Sequence, residues 1–198
     1  DDIPPAAIKI GMLATPDIVE AVAGAVRPYG GPVVLDPVMV AKSGDRLLSD
    51  AAETALIAML LPRADLLTPN LPEAARLLRQ PQATTAEDIT AQGRALCDLG
   101  ARAVLMTGGH ADGPQCIDRL ITPKAVVAFD QTRLATRNTH GTGCTLSAAI
   151  AAELAKGAAL DQAVAVAQAW LHGAIRAADL LGIGAGHGPV HHFHEVWR

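Results

Sequence analysis

Ile8-Lys9-Ile10-Gly11-Met12-Leu13, the turn Thr15-Pro16-Asp17, and Val33-Val34-Leu35-Asp36-Pro37 decide the fold. The first run reads as a strand over Ile8 to Leu13. The turn then starts a helix whose apolar positions Ile18, Val22 and Val26 recur every four residues, and the stretch from Pro28 to Pro32 ends it. Val33-Val34-Leu35 is a short, wholly apolar run of the kind found in a buried parallel strand, and it finishes on Asp36-Pro37.

Working outward, the same alternation continues. Asp50 to Leu61 has helical spacing through Leu56, Met59 and Leu60, and Leu66-Leu67-Thr68 gives a third strand before Pro69. Pro72 to Leu78 and Ala86 to Leu99 read as helices, and Ala103 to Met106 as a strand. Beyond Gly109 the pattern changes to an antiparallel pair, Cys116 to Ile121 and Ala125 to Phe129, joined around Thr122-Pro123-Lys124. Two helices follow, one running to a C′ glycine at Gly157 and one from about Asp161 to Ala178 through Val164, Leu171 and Ile175. Alternation of this kind predicts an α/β protein with a mostly parallel sheet covered on both faces, its ligands lying outside the carboxyl ends of the strands. Asp36, Asn70, Thr107 and Gly108 all fall just past a strand end and are expected along one edge.

The chain has 198 residues, half of them hydrophobic, which suits one α/β core, and a single domain over 1–198 is the expectation. A net charge of −4 with two Trp, one Tyr and two Phe offers neither the basic footprint nor the stacking platforms of a nucleic-acid binder. Cys97, Cys116 and Cys144 form an odd set without metal-ligand spacing, as expected of reduced thiols in a cytoplasm. No apolar run reaches the ~18 residues of a membrane span, and no charged-then-apolar leader precedes Ile3.

Asn138-Thr139-His140-Gly141-Thr142-Gly143-Cys144-Thr145 leads into the apolar helical run Leu146 to Ala155. Two glycines permit a tight turn that aims successive N–H groups at one spot, and the helix dipole adds positive potential there. The same field favours a thiolate at Cys144. An anion cradle beside an ionisable side chain suits phosphoryl transfer; the same residues also read as a Gly-rich turn capping a helix next to a buried cysteine. Asn70-Leu71-Pro72-Glu73 is likewise open to two readings. Asn70 and Glu73 could hold Mg²⁺ through water against nucleotide phosphates, or simply form a capping box. Asp36 is either a turn former or an acid placed for metal or phosphate chemistry. Lys42, in Ala41-Lys42-Ser43-Gly44-Asp45, could offset phosphate charge or be a solvated loop lysine, and His110 touches nucleotide or finishes its turn. His187, His191, His192 and His194 crowd the tail without the cysteine or spaced acid that would complete a zinc set.

Taken together and in order, Gly11-Met12-Leu13, Asp36 to Asp45, Thr68 to Ala74, Gly108-Gly109-His110, Thr139 to Ala149 and Gly188 to His194 closely resemble the bacterial hydroxymethylpyrimidine/phosphomethylpyrimidine kinases of thiamine biosynthesis, in the ribokinase-like superfamily. The resemblance runs from about Ile8 to the tail. It implies a three-layer α/β/α fold lacking the relatives' N-terminal segment, where much of the pyrimidine pocket lies. It implies that Cys144 is the catalytic residue, removing the proton from the substrate's hydroxymethyl group or phosphate ester. Gly141, Thr142 and Gly143 then stabilise the transferred phosphoryl group.

By the same resemblance Asp36, Asn70 and Glu73 lie around the ATP phosphates and Mg²⁺, with Asp36 and Glu73 as metal ligands. Thr107 and Gly109 belong to the nucleotide site, and Val38 touches the pyrimidine ring. Many relatives carry lysine where Thr107 stands, and Lys42 is the expected replacement. A homodimer is implied as well. The alternatives are a pyridoxal or pyridoxine kinase, whose substrate ring also carries a hydroxymethyl group, and a nucleotide-binding remnant without catalysis.

Overall fold

The computed structural model describes residues 2–40, 47–110 and 113–197. Six strands, β1 (Ile8–Ile10), β2 (Val33–Leu35), β3 (Leu66–Leu67), β4 (Val104–Met106), β5 (Gln115–Ile121) and β6 (Val126–Thr132), form one sheet in sequential order. The first four are parallel and β5 and β6 antiparallel, as the change of pattern after Gly109 predicts. Thr122 closes the last hairpin, its Oγ1 accepting from the N–H of Ala125 at 3.0 Å.

Strand periodicity divides the core. Val33, Leu35, Leu67, Val104, Met106 and Ile121 face one way, into α1 (Pro16–Val26), α2 (Asp50–Met59), α3 (Leu71–Leu78) and α4 (Ala86–Asp98). Val34, Leu66, Leu105 and Leu120 face the other, into α5 (Thr142–Ala155) and α6 (Leu160–Arg176). Both faces are therefore apolar in strict alternation, which is why the parallel strands read as continuous hydrophobic runs.

Side-chain oxygens of Thr15, Ser49, Asn70 and Thr85 cap α1 to α4, satisfying amide groups that a helix leaves without internal partners. Gly157, with φ of 87°, follows α5 in the left-handed conformation expected of a C′ glycine.

Several details differ from the sequence expectation, among them two strand ends and one helix face. β1 stops at Ile10, although Leu13 is still buried, because the chain leaves the sheet edge at Gly11. The inward face of α1 is Val19, Ala23 and Val26 with Ile18 turned to solvent, a rotation that a strict four-residue spacing cannot resolve from the true period. β6 extends to Thr132, beyond Phe129, since an outer strand needs no second apolar face to pair.

Candidate active site

Asp36 stands at the carboxyl end of β2, only 3% exposed, its N–H donating to the Ile10 carbonyl at 2.9 Å. Three groups converge on its carboxylate. Ser147, fully buried on α5, places Oγ 3.0 Å from Oδ2; Lys9 of β1 places Nζ 3.4 Å from the same oxygen; and the Cys144 thiol lies close enough to feel the carboxylate's charge. Ser147 Oγ also lies 3.0 Å from the Gly143 carbonyl and 3.1 Å from that of Cys144. The front of α5 is thus tied to the end of β2 by side chains, with backbone amides of its first turn beside them.

The expected thiolate is corrected by this geometry. Burial pushes the Cys144 thiol above its ordinary 9.0, and the charge of Asp36 pushes it further; Lys9 pulls the other way, while the hydrogen bond to Asp36 and the charge of Glu73 add to the rise. Burial and the two neighbouring acids therefore favour the thiol over the thiolate here, against the pull of the ammonium. The two glycines before it also differ in role. Gly141 has φ of 79° and is the residue that turns the chain into α5, where a side chain would be strained. Gly143 lies within the first turn of the helix, and a Cβ there would meet open space, so its bareness leaves room above the helix. Thr142 donates from Oγ1 to the Thr139 carbonyl at 3.3 Å.

Asn70 and Glu73 form the full capping box. Asn70 Oδ1 accepts from the Glu73 N–H at 2.8 Å, and Glu73 Oε2 from the Asn70 N–H at 2.9 Å. The box does not exhaust Glu73, which also accepts from the Met39 backbone and feels the charge of Asp36. Burial raises its carboxyl from 4.5 to about 7, against the lowering effect of the Asn70 N–H; repulsion by Asp36 adds to the rise and the Met39 N–H opposes it. Val38, half-buried and bonded through its N–H to the Asp36 carbonyl at 2.9 Å, lies between these two acids along the chain.

Next along the edge, Thr107 donates its N–H to the Pro69 carbonyl at 3.0 Å and bridges Asn70 in parallel. Gly108 turns so closely over β5 that a Cβ would sit 2.3 Å from the Ile117 carbonyl oxygen. Its N–H donates to Asp118 Oδ1 at 2.7 Å, and Gln168 of α6 donates to Oδ2 at 2.5 Å. Burial pushes the Asp118 carboxyl up, partly offset by those two donors. Gly109 is exposed, and its carbonyl accepts from Arg133 Nη1 at 3.1 Å. Lys42 lies outside the described residues.

The loop that feeds the cradle is held from behind. Asp179 accepts from Thr136 Oγ1 and, at 2.7 Å, from Asn138 Nδ2, while Asn138 Oδ1 accepts from the Gly188 N–H at 3.0 Å. The tail histidines separate rather than cluster: His192 Nε2 is 3.0 Å from Thr145 Oγ1, His191 is buried with its N–H on the Ala174 carbonyl, and His194 lies against Trp170. The structure therefore gathers Asp36, Glu73, Asn70, Thr107, Gly141, Gly143 and Cys144 along one edge. Lys9, Ser147, Asp118 and Asp179 are supporting residues that pattern alone does not reveal. A lysine between Ile8 and Ile10 reads as the outward residue of a half-buried strand, and a serine within an apolar helix reads as neutral filler.

A doubly covered, mostly parallel sheet with an acid, a thiol and a helix front at its carboxyl edge is an α/β arrangement that takes an anionic ligand at the strand ends, and comparison with known proteins places it among kinases. A family model described as phosphomethylpyrimidine kinase matches residues 1–191, and the chain belongs to that family. The hydroxymethylpyrimidine/phosphomethylpyrimidine kinase of Salmonella typhimurium is 53% identical over 190 residues, covering 96% of this chain and 71% of that protein. A thiamine biosynthesis multifunctional protein of Corynebacterium glutamicum is 40% identical over 199 residues, the whole of this chain and 26% of that protein. Among solved structures, the pyridoxal kinase from Staphylococcus aureus in complex with ADP aligns with a TM-score of 0.90 at 32% identity, over 98% of this chain and 70% of that one.

Proposed function

We propose that this chain transfers the γ-phosphoryl group of ATP to the hydroxymethyl oxygen of 4-amino-5-hydroxymethyl-2-methylpyrimidine, and then to its monophosphate, in thiamine biosynthesis. The observation that carries the reading is the convergence of Ser147 and Lys9 on Asp36, within hydrogen-bonding and ion-pair reach, beside Cys144 at the front of α5. Residues 1–198 act as one catalytic domain in this reading, working as a homodimer in the cytoplasm; light scattering on the purified protein tests the dimer.

Transfer forms a bond from the hydroxymethyl oxygen to phosphorus and breaks the bridge to the β-phosphate, releasing ADP. Little covalent chemistry is asked of the protein; positioning and charge stabilisation dominate. Gly141, Thr142 and Gly143 present first-turn amides to the transferred group. Cys144 receives the hydroxyl proton as its own passes to the neighbouring Asp36 carboxylate. Asn70, Thr107 and Gly109 face the nucleotide phosphates, Val38 touches the pyrimidine, and Lys42 is assigned to offset phosphate charge.

Asp36 and Glu73 fit a Mg²⁺ ion. Glu73 feels the charge of Asp36 as well as its own burial, and a bound cation would relieve both. Among the described residues no group of three or more metal-ligating side chains forms a closed cage, and Mg²⁺ is commonly held by one or two carboxylates with water and substrate phosphates. The ion supplies neutralisation of phosphate charge when bound.

The test is ADP release with the pyrimidine as acceptor, compared with the Cys144→Ala variant. Loss of a proton acceptor lowers kcat by about 10²- to 10⁴-fold while ATP still binds; unchanged turnover removes Cys144 from its assigned role. The likeness to pyridoxal kinase supports a second reading, with pyridoxal as the acceptor. Comparing kcat/KM for the two rings decides between them. Binding of ATP without turnover of either ring would instead indicate a nucleotide-binding module.

A further inference from the structure

Lys9 has no place in the roles above, yet its ammonium lies at their centre. It projects from β1 on the face shared with Val34, its partner in register, and that face is covered by α5. Its Nζ is 3.4 Å from Asp36 Oδ2, with the lysine side chain 22% exposed and the aspartate side chain 5%. The same ammonium acts on Cys144, where it opposes the rise caused by the acids.

A second feature shows that room is kept for this group. A Cβ at Gly11 would stand 2.7 Å from Lys9 Nζ, and no left-handed angle requires glycine there. Gly11 is bare where the lysine side chain folds over the end of its own strand towards Asp36.

We propose that Lys9 is a positioning residue for phosphoryl transfer: it fixes the Asp36 carboxylate in the orientation that Ser147 and Cys144 engage, and offsets its charge as the phosphates approach. This deepens the kinase reading and rests on it. A buried carboxylate held by a hydroxyl and an ammonium has little freedom to swing, and a triphosphate entering beside Asp36 and Glu73 meets less repulsion with a cation already in place. Lys9 acts through Asp36, so its removal is felt in the transfer step rather than in recognition of the ring.

The experiment compares the whole chain with Lys9→Met, Lys9→Arg and Gly11→Ala. Lys9→Met is expected to lower kcat by about 10²-fold, with KM for the pyrimidine nearly unchanged, the pattern of a lost transition-state interaction. Lys9→Arg restores much of that loss, and Gly11→Ala, which displaces the ammonium without removing its charge, gives an intermediate one.

The readout that a purely structural ion pair would not move in this direction is metal affinity. Mn²⁺ alone, titrated by electron paramagnetic resonance, is expected to bind Lys9→Met at least about fivefold more tightly, because a competing cation has left Asp36. Unchanged kcat in both Lys9→Met and Gly11→Ala overturns the proposal, as does a loss of kcat accompanied by weaker Mn²⁺ binding. If Lys9→Met fails to fold, Gly11→Ala and Lys9→Arg decide on the same two measurements. Failure of the unaltered protein to release ADP with the pyrimidine would count against the kinase reading, whereas the Mn²⁺ comparison still reports on Lys9.

Discussion

Glu73→Gln should make the protein more stable at alkaline pH and not at acid pH. The folded protein holds this carboxyl near 7, against 4.5 for an unburied one, and at about 1.4 kcal/mol per pH unit that gap amounts to roughly 3 kcal/mol. The sign follows from which state gives up its proton first. Below about pH 4.5 the group is protonated folded and unfolded, and it costs nothing. As pH rises from there the unfolded chain ionises while the fold keeps the proton, so stability falls until about pH 7 and then levels off.

Glutamine is never charged and escapes that loss, but it cannot accept from both the Asn70 and Met39 N–H groups as a carboxylate does. One missing hydrogen bond takes back about 1 kcal/mol. The variant should therefore exceed the parent by about 2 kcal/mol near pH 8.5, and match or trail it near pH 4.5. Urea unfolding followed by circular dichroism across that range measures both proteins. A stability difference that stays flat with pH, or grows towards acid, would show that Glu73 is not held in the protonated form by burial and Asp36. The same variant should lose turnover, since it gives away a carboxylate assigned to the metal.

Two further substitutions probe the scaffold. Ser147→Ala leaves Asp36 without its buried hydroxyl donor; stability should fall by about 1–2 kcal/mol, and kcat should fall as well, checked by unfolding and ADP release. Retained kcat would mean that Ser147 serves packing alone. Gly108→Ala places a methyl group 2.3 Å from a backbone oxygen of β5 and should lower stability by about 1–3 kcal/mol while raising KM for ATP, read by thermal unfolding and initial rates. A normal KM would separate this turn from the nucleotide.

Layering was legible because it depends on period and punctuation. Val33-Val34-Leu35 and Val104-Leu105-Met106 are apolar without interruption since helices cover both faces, and Pro16, Pro72 and Gly157 sit where helix ends need them. The acids at the edge were legible for the same reason, Asp36 following directly on a strand and Glu73 standing in the first turn of the helix after the next one. What sequence could not supply was distance between elements. Asp36 and Ser147 are 111 positions apart, and Asn138 and Asp179 are 41 apart, so nothing local in either stretch announces the partner. The protonated state of Cys144 was hidden likewise. An amide-rich turn alone argues for a thiolate; burial and the three-dimensional approach of two carboxylates push the other way.

The hydroxyl of Ser147 owns one hydrogen and has three oxygens within reach, on Asp36, Gly143 and Cys144. It can lace α5 to the sheet or lace the opening turn of α5 to itself, but not both together. Whatever draws on the lone pairs of Asp36, whether a metal ion or an arriving proton, therefore rewrites the grip on the amides that face the phosphate. Occupancy at the tip of a strand and tautness at the front of a helix become one variable, passed through a single rotating O–H.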